Sequence, residues 1–466
     1  MNLELINKID ELDFSQEETK TIILGLLAEM YELIIRLQYE NQTLKDEINR
    51  LKGEKGKPDI KPSKNTTDEN KNRMEKQKSK EWKKKPKNIK IDRVVIVEMD
   101  PSALPEDAIF KGYSNKIIQG ITIQTDNVLY KRQVFYSESE KKTYVAPLDD
   151  SLEHSSFTPE LKAQILRLYF ECRMTENIIY SFLNSIGISI SEGEISNIII
   201  KEKSDLFTEE KSEILNAGIS CSQSINIDDS GFRENGKNKY INIICSVLFA
   251  FFMVNSRKNG DTIKAMFEGQ SIAGKVLVCD DAPQFKVLTH LIQLCWVHEE
   301  RLYKKLNPIF SVHKKELKDK ISEVWNFYNE LKKYKENPSE SRKEELNSLF
   351  DKIFNCQTGY PELNKRLELT YAKKSILLTV LDYPFVDIHN NMSENGIRAS
   401  VIKRKISNGT RTDLGTTAWE NHLTILTTCK KHNVSYYDYV LNIFKNQKHQ
   451  MSLVDHIIEK SAAYSV

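Results

Sequence analysis

Two pairs of neighbouring aspartates are the residues of this 466-residue chain best suited to chemistry. Asp228 and Asp229 lie at the end of an apolar strand pattern in "INIDDSGF", and Asp280 and Asp281 do the same in "VLVCDDAPQF". One acidic pair is commonly a turn or a cap, but two pairs at two strand ends predict a site. Buried like charges repel each other, so divalent cations would be needed to neutralise them. Hard oxygen ligands favour Mg²⁺ or Mn²⁺.

A third carboxylate is available in "HNNMSENGIRASVIKRKISNG", where Glu394 begins a polar helix. Taken alone, Glu394 could be an ordinary surface residue of that helix, but the two aspartate pairs favour a role in the site. Three carboxylates can hold two metal ions about 4 Å apart, which activate a water or a 3′ hydroxyl and stabilise the leaving oxygen of a phosphodiester. We expect the bases that follow Glu394 to bind DNA phosphates: Arg398, Lys403, Arg404, Lys405 and Arg411.

The elements around these acids predict how they meet. The pattern reads as strands at 224–229, 240–246 and 248–255, a helix at 261–268, and further strands at 275–280 and 292–297. Hairpin-linked strands followed by crossover strands are the order of a ribonuclease H-like α/β fold, a mixed sheet with flanking helices. In that fold the first and fourth strands are central neighbours, which would bring Asp228 and Asp280 together. The lysine-rich helical region at about 308–372 reads as an insertion.

Residues 151–218 read as a helical domain and as a candidate DNA-binding domain. Thr158 is a predicted N-cap with Pro159 at the first helical position, and Ser191 and Glu194 form a predicted capping box. Short helices around a tight turn are typical of a helix-turn-helix, but ordinary three-helix packing gives the same pattern. Residues 91–150 alternate with period two and predict a small β module.

The N-terminal segment, residues 1–55, predicts a coiled coil. Apolar residues recur every seven positions, and Asn41 is the single polar residue at an a position. A buried Asn at that position favours a parallel two-stranded coiled coil, so we expect a homodimer. The alternative is an amphipathic helix packed on its own domain. The predicted d positions are Ile23, Met30, Leu37, Leu44 and Leu51, and the a positions are Leu27, Ile34, Asn41 and Ile48.

A basic linker at 56–90 follows this segment. Ten of the twenty residues from Lys71 to Lys90 are Lys or Arg. Such a run binds the phosphate backbone of DNA without reading its sequence, or serves only as a solvated tether. The lysines expected to contact DNA are Lys83, Lys84, Lys85 and Lys87.

Composition favours a cytoplasmic, nucleoid-associated protein. The net charge is only +2, so affinity for nucleic acid must come from local clusters. The seven scattered cysteines fit a reducing compartment, the longest apolar run is too short to span a membrane, and the first residues are too charged for a secretory signal.

The chain resembles DDE transposases of the insertion-sequence-66 family. The resemblance rests on "INIDDSGF", on "VLVCDDAPQF" followed by "LCWVHEERLYKKL", and on the D-x-x-N-N-x-x-E block that starts at Asp387. It implies a ribonuclease H-like catalytic domain at 219–430, with a helical tail at 431–466, that uses Asp228, Asp280 and Glu394 with two Mg²⁺ or Mn²⁺ ions. The implied partners are double-stranded DNA, as terminal inverted repeats and as target, and possible helper proteins from the same element.

Two departures from the family pattern matter. Relatives usually carry a zinc-ribbon-like segment after the linker, but residues 91–150 contain no cysteine, so the module would be degenerate. The first block reads D-D-S where many relatives have D-E-T, which leaves Asp228 and Asp229 as alternatives. We favour the first of each pair as the ligand, with Asp229 and Asp281 in supporting positions.

Cys295 and His298 form a C-x-x-H sequence soon after the second aspartate pair. Two ligands cannot complete a tetrahedral zinc site, so a packed thiol and a structural or phosphate-contacting histidine are favoured. In the resembled group His298 could orient the scissile strand.

Two other functions compete with transposition. A catalytically inactive DNA-binding regulator derived from a transposase would keep the coiled coil and the linker, but the three retained acids argue against it. A simple metal-dependent nuclease would cut without joining, and the dimerising helix favours transposition over it.

Overall fold

The structure is a computed structural model that describes residues 17–51, 89–100, 102, 104–105, 107–153, 155–267, 269–447 and 451–464. Most of the predicted linker therefore lies outside the described residues, including all four lysines expected to contact DNA there. The chain divides into two compact units, one formed by the chain up to Ile34 together with Gln124–Val466, and the other by Ile35–Ile123. The site lies in the first unit.

The first helix, α1, spans Glu17–Leu51. Leu24 and Ala28 are buried against Phe310, so this part of the helix packs on the protein itself, as the alternative to a coiled coil expected. The apolar heptad positions from Met30 to Leu44 remain exposed, among them Met30 and Leu44 themselves, each 61% exposed. The exposed seam is compatible with a partner helix, and dimerisation stays a prediction.

The structure contains less β-sheet in residues 91–150 than the predicted β module. The only strands found in the described part of 91–150 form a hairpin, β1 (Val134–Ser137) paired with β2 (Lys142–Val145). The described residues from 91 to 133 form no strand, and apolar side chains with strand-like alternation, such as Val94 and Ile121, are exposed. Period-two alternation alone does not make a sheet, because each strand needs a paired neighbour and a covered face.

Five helices follow. Thr158 Oγ1 accepts a hydrogen bond from the Leu161 N–H, with Pro159 at the first helical position, and Ser191 Oγ accepts from the Glu194 N–H at 3.1 Å. Both predicted N-caps are therefore confirmed. The helices are α2 (Asp150–Glu153), α3 (Pro159–Leu166, continued by a π-helical turn at Arg167–Glu171), α4 (Glu176–Ser185), α5 (Glu192–Ile200) and α6 (Ser204–Cys221).

A five-stranded mixed sheet positions the site. Its strands are β3 (Ser224–Glu234), β4 (Lys237–Cys245), β5 (Ala250–Asn255), β6 (Val276–Cys279) and β7 (Ile292–Leu294). The spatial order is β5-β4-β3-β6-β7, with β3, β4 and β5 antiparallel and β6 and β7 parallel to β3. The first and fourth strands are thus central neighbours, as predicted. Asn235 and Gly236, both at positive φ, make the two-residue turn between β3 and β4.

The remaining helices cover the sheet and form the region read as an insertion. Residues 308–372 are largely helical, as predicted, and Trp296, Phe327, Phe350 and Phe354 pack together as part of their aromatic core. The helices are α7 (Gly260–Ala265), α8 (Trp296–Lys304), α9 (Ser311–Glu336), α10 (Glu340–Phe354), α11 (Pro361–Tyr371), α12 (Lys374–Leu377), α13 (Asn391–Ser407), α14 (Asp413–Lys431), α15 (Tyr436–Phe444) and α16 (Leu453–Tyr464), with a 3₁₀ turn at Thr379–Leu381. Among the described helices, none combines the length and apolar character needed to cross a membrane.

Side chains of α14 accept hydrogen bonds from the outer edge of strand β5. The N–H groups of Val254, Phe252 and Ala250 donate to Glu420 Oε1, Thr424 Oγ1 and Thr428 Oγ1 at 2.7, 3.0 and 3.2 Å. The three acceptors are spaced by four residues, so they lie on one face of the helix. This polar stripe pairs N–H groups of the strand that no neighbouring strand binds, and it blocks pairing with another chain.

Candidate active site

Asp228 and Asp280 are carried by two neighbouring central strands. Asp228 is within β3, and Asp280 directly follows β6, which runs parallel to β3. Burial and, to a lesser extent, the like charges of Asp280, Asp229 and Glu394 together raise the pKa of Asp228 to about 7, although the Asp229 N–H donates to its Oδ1. Burial also raises the pKa of Asp280. The chain therefore gathers desolvated carboxylates that repel one another.

The second aspartate of each pair is in a different electrostatic setting. Asp229 Oδ1 lies 2.6 Å from Lys258 Nζ, and Asp281 lies 2.5 Å from Lys286 Nζ and 3.0 Å from Lys373 Nζ. Burial opposes ionisation of Asp281, but hydrogen bonds from the two lysines outweigh it and lower its pKa. Within the described chain, neither Asp228 nor Asp280 has such an ion pair. The first member of each pair thus lacks a direct ion pair, and only the more distant charges of His298 and Lys258 act to lower the pKa of Asp280.

Glu394 lies in the first turn of α13, and its charge is close enough to raise the pKa of Asp228. Its Oε1 is 3.7 Å from His298 Nε2, and its Oε2 is 3.6 Å from Arg301 Nη2. Glu394 Oε1 and His298 Nδ1 are buried atoms that have no hydrogen-bond partner in the part of the chain that the structure describes. Asp228 therefore lies close enough to Asp280 and Glu394 for both charges to act on it, and a histidine and an arginine lie beside Glu394.

Cys295 immediately precedes α8 and is buried. Its Sγ accepts a hydrogen bond from the Asn390 N–H at 3.2 Å, and burial raises the pKa of its thiol. The Cys295 sulfur, a His298 ring nitrogen and a Glu394 oxygen lie within 4.8 Å of one another. The sequence suggested only two possible ligands here, and the fold adds Glu394 as a neighbour.

Asn390 is a site residue that the sequence analysis missed. Its buried amide donates to the Ile227 carbonyl at 2.8 Å and accepts from Asn226 Nδ2 at 3.0 Å, and its own carbonyl accepts from the Glu394 N–H at 3.1 Å. The strand of the first acid is therefore joined to the helix of the third. A usable signal was present, because Asn226 interrupts an apolar strand and Asn390 lies four residues before Glu394.

A second missed group ties the inserted helices to the loop after β6. Lys373 Nζ lies 3.0 Å from Asp281 and 2.6 Å from Glu299. Glu299 is buried and also accepts from Arg366 at 2.8 Å and Thr370 at 2.6 Å. Through these contacts α11 and the residues after it brace the loop that carries Asp280.

The predicted DNA-binding residues on α13 and in the loop after it separate into two groups. Arg398 is exposed, and Arg404, Lys405 and Arg411 line a groove at the end of the helix. Lys403 differs from the prediction, since it is 2% exposed, donates to the Met174 carbonyl at 2.5 Å and lies 3.5 Å from the centre of the Tyr169 ring. Its ammonium group is therefore turned into the protein rather than toward a ligand.

Comparison with known proteins identifies the family of the chain. Residues 154–418, more than half of the chain, match the family described as "Transposase IS66 family". The chain is also 39% identical over 165 residues to "Uncharacterized protein y4jO" of Sinorhizobium fredii (strain NBRC 101917 / NGR234). That match covers 35% of this chain and 51% of the relative, so the chain spans about half the length of the relative. On the extent of the family match, the chain belongs to the transposase IS66 family.

Proposed function

We propose that this protein is the transposase of a bacterial insertion sequence, and that it binds the element ends and catalyses DNA strand cleavage and strand transfer. The proposed catalytic residues are Asp228, Asp280 and Glu394, carried by a ribonuclease H-like domain at 219–430. One observation carries the proposal: Asp228 on β3 and Asp280 directly after the adjacent strand β6 have no ion pair among the described residues, whereas Asp229 and Asp281 each contact lysine.

The residues present fit a divalent cation. The raised pKa values of Asp228 and Asp280 and the unpartnered Oε1 of Glu394 mark three carboxylates whose charge the protein does not balance fully. Carboxylate oxygens suit Mg²⁺ or Mn²⁺, and these three residues would hold the ions. Two bound ions would activate the attacking water or 3′ hydroxyl and stabilise the leaving oxygen of a phosphodiester.

The chain's own groups would orient the DNA at this cluster. Asn390 fixes the start of α13 against β3 and so sets where Glu394 faces Asp228. Arg301 lies on α8 beside Glu394 and is exposed, so its guanidinium can donate to a phosphate oxygen near the scissile bond. His298 sits between them, with Nε2 within 3.1 Å of Arg301 Nη1, and supports that arrangement.

The other parts of the chain complete the proposal. We assign residues 1–55 to dimerisation, 56–90 to non-specific DNA binding, 91–150 to a degenerate zinc-ribbon-like module and 151–218 to a helical DNA-binding domain. The expected partners are double-stranded DNA, a second copy of the chain, and helper proteins from the same element, with the protein acting at the nucleoid.

The decisive experiment uses the full chain and a donor plasmid that carries the gene with its flanking DNA. With Mg²⁺ or Mn²⁺ we expect cleavage at the element boundaries and joining of the released ends to a second plasmid. Chelation and Glu394→Gln should abolish both products. Cutting without joining would identify a nuclease, and DNA binding without any cutting would identify an inactive regulator; either result would contradict the proposal.

A further inference from the structure

A basic groove adjoins the carboxylate cluster. It has a volume of about 980 Å³ and lies where the β3–β4 hairpin meets the end of α13. Five cationic side chains line it; Lys239 pairs with Glu234 and Asp413, and among the described residues none of the other four forms an ion pair. These four are Arg233 of β3, Arg404 and Lys405 of α13, and Arg411 of the following loop.

One negative charge beside this wall is already paired. Glu234 is buried, and its carboxylate forms an ion pair with Lys239 and accepts a hydrogen bond from Thr416 at 2.5 Å. It therefore does not compensate the four free cations. Arginine guanidinium groups match phosphate oxygens with paired hydrogen bonds, so the groove suits a polyanion with spaced phosphates.

The groove and the acids lie along the same two elements. Gly396 in α13 faces Ile243, which is the β4 residue paired with Asp228, and Arg404 Nη1 lies 3.6 Å from the position that a Cβ would take on Gly231. Helix α13 thus follows β3 away from Asp228. From Asp228 to Gly231 the strand rises about 10 Å, and from Glu394 to Arg404 the helix rises about 15 Å.

The groove wall is held rigidly. The Asn235 N–H donates to the Thr410 carbonyl at 2.8 Å, and the Thr410 N–H donates to the Arg233 carbonyl at 3.0 Å. Gly409 has φ +94°, and a Cβ there would lie 2.0 Å from the Arg233 carbonyl oxygen. A glycine is therefore required at this crossing, and the crossing places Arg411 beside the hairpin before any ligand binds.

We propose that this groove binds the sugar–phosphate backbone of duplex DNA whose scissile phosphate lies at the carboxylate cluster. Phosphates of one strand are spaced by about 3.4 Å along the duplex axis, so a separation of 10–15 Å corresponds to about three or four nucleotides. The inference rests on the proposed function, and it names the surface that holds the DNA next to the cut. Lys403, although it adjoins Arg404 in sequence, takes no part.

The test measures binding of the full-length chain to a random-sequence duplex, in the presence of a chelator, over a range of salt concentrations. Each phosphate contact contributes about 0.9 to the slope of log affinity against log salt. Arg404→Gln/Arg411→Gln should therefore lower the slope by about 1.8 and weaken binding about tenfold near physiological salt. Arg404→Lys/Arg411→Lys, which keeps both charges, should retain most of the slope.

The matched control is Lys314→Gln/Lys318→Gln, which removes two exposed positive charges from α9. It should leave the slope nearly unchanged. An equal loss in both double variants, or no loss in the groove variant, would overturn the inference. The binding assay needs no cleavage. A chain that fails to cut DNA but shows the groove-specific change in slope would therefore refute the proposed function and still support DNA binding by the groove.

Discussion

The Asn390 side-chain amide donates a 2.8 Å hydrogen bond to the carbonyl of Ile227, the residue before Asp228. Asn390 is completely buried, and it immediately precedes the helix that carries Glu394. One side chain thus connects the strand of the first acid to the helix of the third. The relative placement of these acids depends on a neutral, buried contact rather than on their own repelling charges.

We predict that Asn390→Leu destabilises the protein and weakens metal binding. The change leaves the Ile227 carbonyl and the Asn226 amide buried without their partner, at a cost of about 1–3 kcal/mol for each group. Urea unfolding and titration with Mn²⁺ measure the two effects. Asn391→Leu, at the exposed neighbouring position, should change the unfolding free energy by about 0.5 kcal/mol or less. If both substitutions changed stability and Mn²⁺ binding equally, the proposed role of Asn390 in joining β3 to α13 would be wrong.

The aspartate pairs provide a register test. Asp228→Asn, Asp280→Asn and Glu394→Gln should each reduce strand cleavage by orders of magnitude while DNA binding persists, because each removes a proposed metal ligand and keeps the shape. Asp229→Asn and Asp281→Asn remove only partners of lysines and should cost much less, about 10–100-fold at most. The measurement is the strand-cleavage rate of all five variants on the same DNA substrate. Normal cleavage by Asp228→Asn together with loss in Asp229→Asn would reverse the register.

Local patterns predicted the sheet and the clustering of the acids. Strand alternation and the spacing of crossovers can be recognised in short segments of sequence. The pairing of β3 with β6 could therefore be predicted from them. Contacts such as Asn390 with Ile227 join residues 163 positions apart, and no periodicity encodes such pairs. The same limit explains why the link from Lys373 to Asp281 and Glu299 was missed.

The sequence also did not show that Lys403 is buried while its basic neighbours face the groove. Consecutive residues of an α-helix point about 100° apart, so a run of three bases necessarily spreads around the helix. Lys403 turns onto Tyr169, while Arg404 and Lys405 face the groove. For residues 91–133 the failure was of the opposite kind, since strand alternation occurs there without a sheet that could use it.

Lys403 predicts a pH dependence of stability. Burial lowers the pKa of Lys403 to about 7, with partial opposition from Glu176, whereas an unfolded lysine titrates near 10.4. Between these values the unfolded chain binds more protons than the folded chain, so stability should rise with pH from about 7 to 10. The largest slope is about 1.4 kcal/mol per pH unit.

Lys403→Met should remove this contribution, so the difference in unfolding free energy between variant and wild type should change across that pH window. Urea unfolding at several pH values measures it. Lys405→Met, an exposed position on the same helix, provides the control and should show no such change. A parallel pH dependence of wild type and Lys403→Met would contradict the prediction.

The side-chain stripe on α14 predicts a stability effect far from the acids. Thr424→Val removes the acceptor for the Phe252 N–H and leaves a buried donor unpaired on the edge strand, at a cost of about 1–3 kcal/mol. Thr417→Val makes the same chemical change on the same helix, where the hydroxyl bonds only to the Asp413 carbonyl. Its cost should be about 0.5 kcal/mol or less by urea unfolding. Similar losses for both would show that the edge strand does not depend on this stripe.

The exposed seam of α1 predicts dimerisation of the full chain. Met30, Ile34, Leu37 and Leu44 are 47–61% exposed at a and d positions, and burying such residues against a second helix is the usual source of coiled-coil stability. Leu37→Asp/Leu44→Asp should therefore convert a dimer to a monomer in analytical ultracentrifugation. Tyr39→Asp, at an f position that is 74% exposed, should leave the dimer intact.

Asn41 tests the parallel, two-stranded form of that dimer. In the single chain its amide donates to the Leu37 carbonyl at 2.9 Å, and across a dimer two such amides would pair with each other. Asn41→Leu should raise the melting temperature, because an apolar residue then fills the seam, and should add trimers or larger species, because the register is no longer specified. Sedimentation over a range of concentrations measures the species present. A wild-type chain that stays monomeric at every concentration, with Asn41→Leu unchanged in mass, would show that α1 serves only to pack on Phe310.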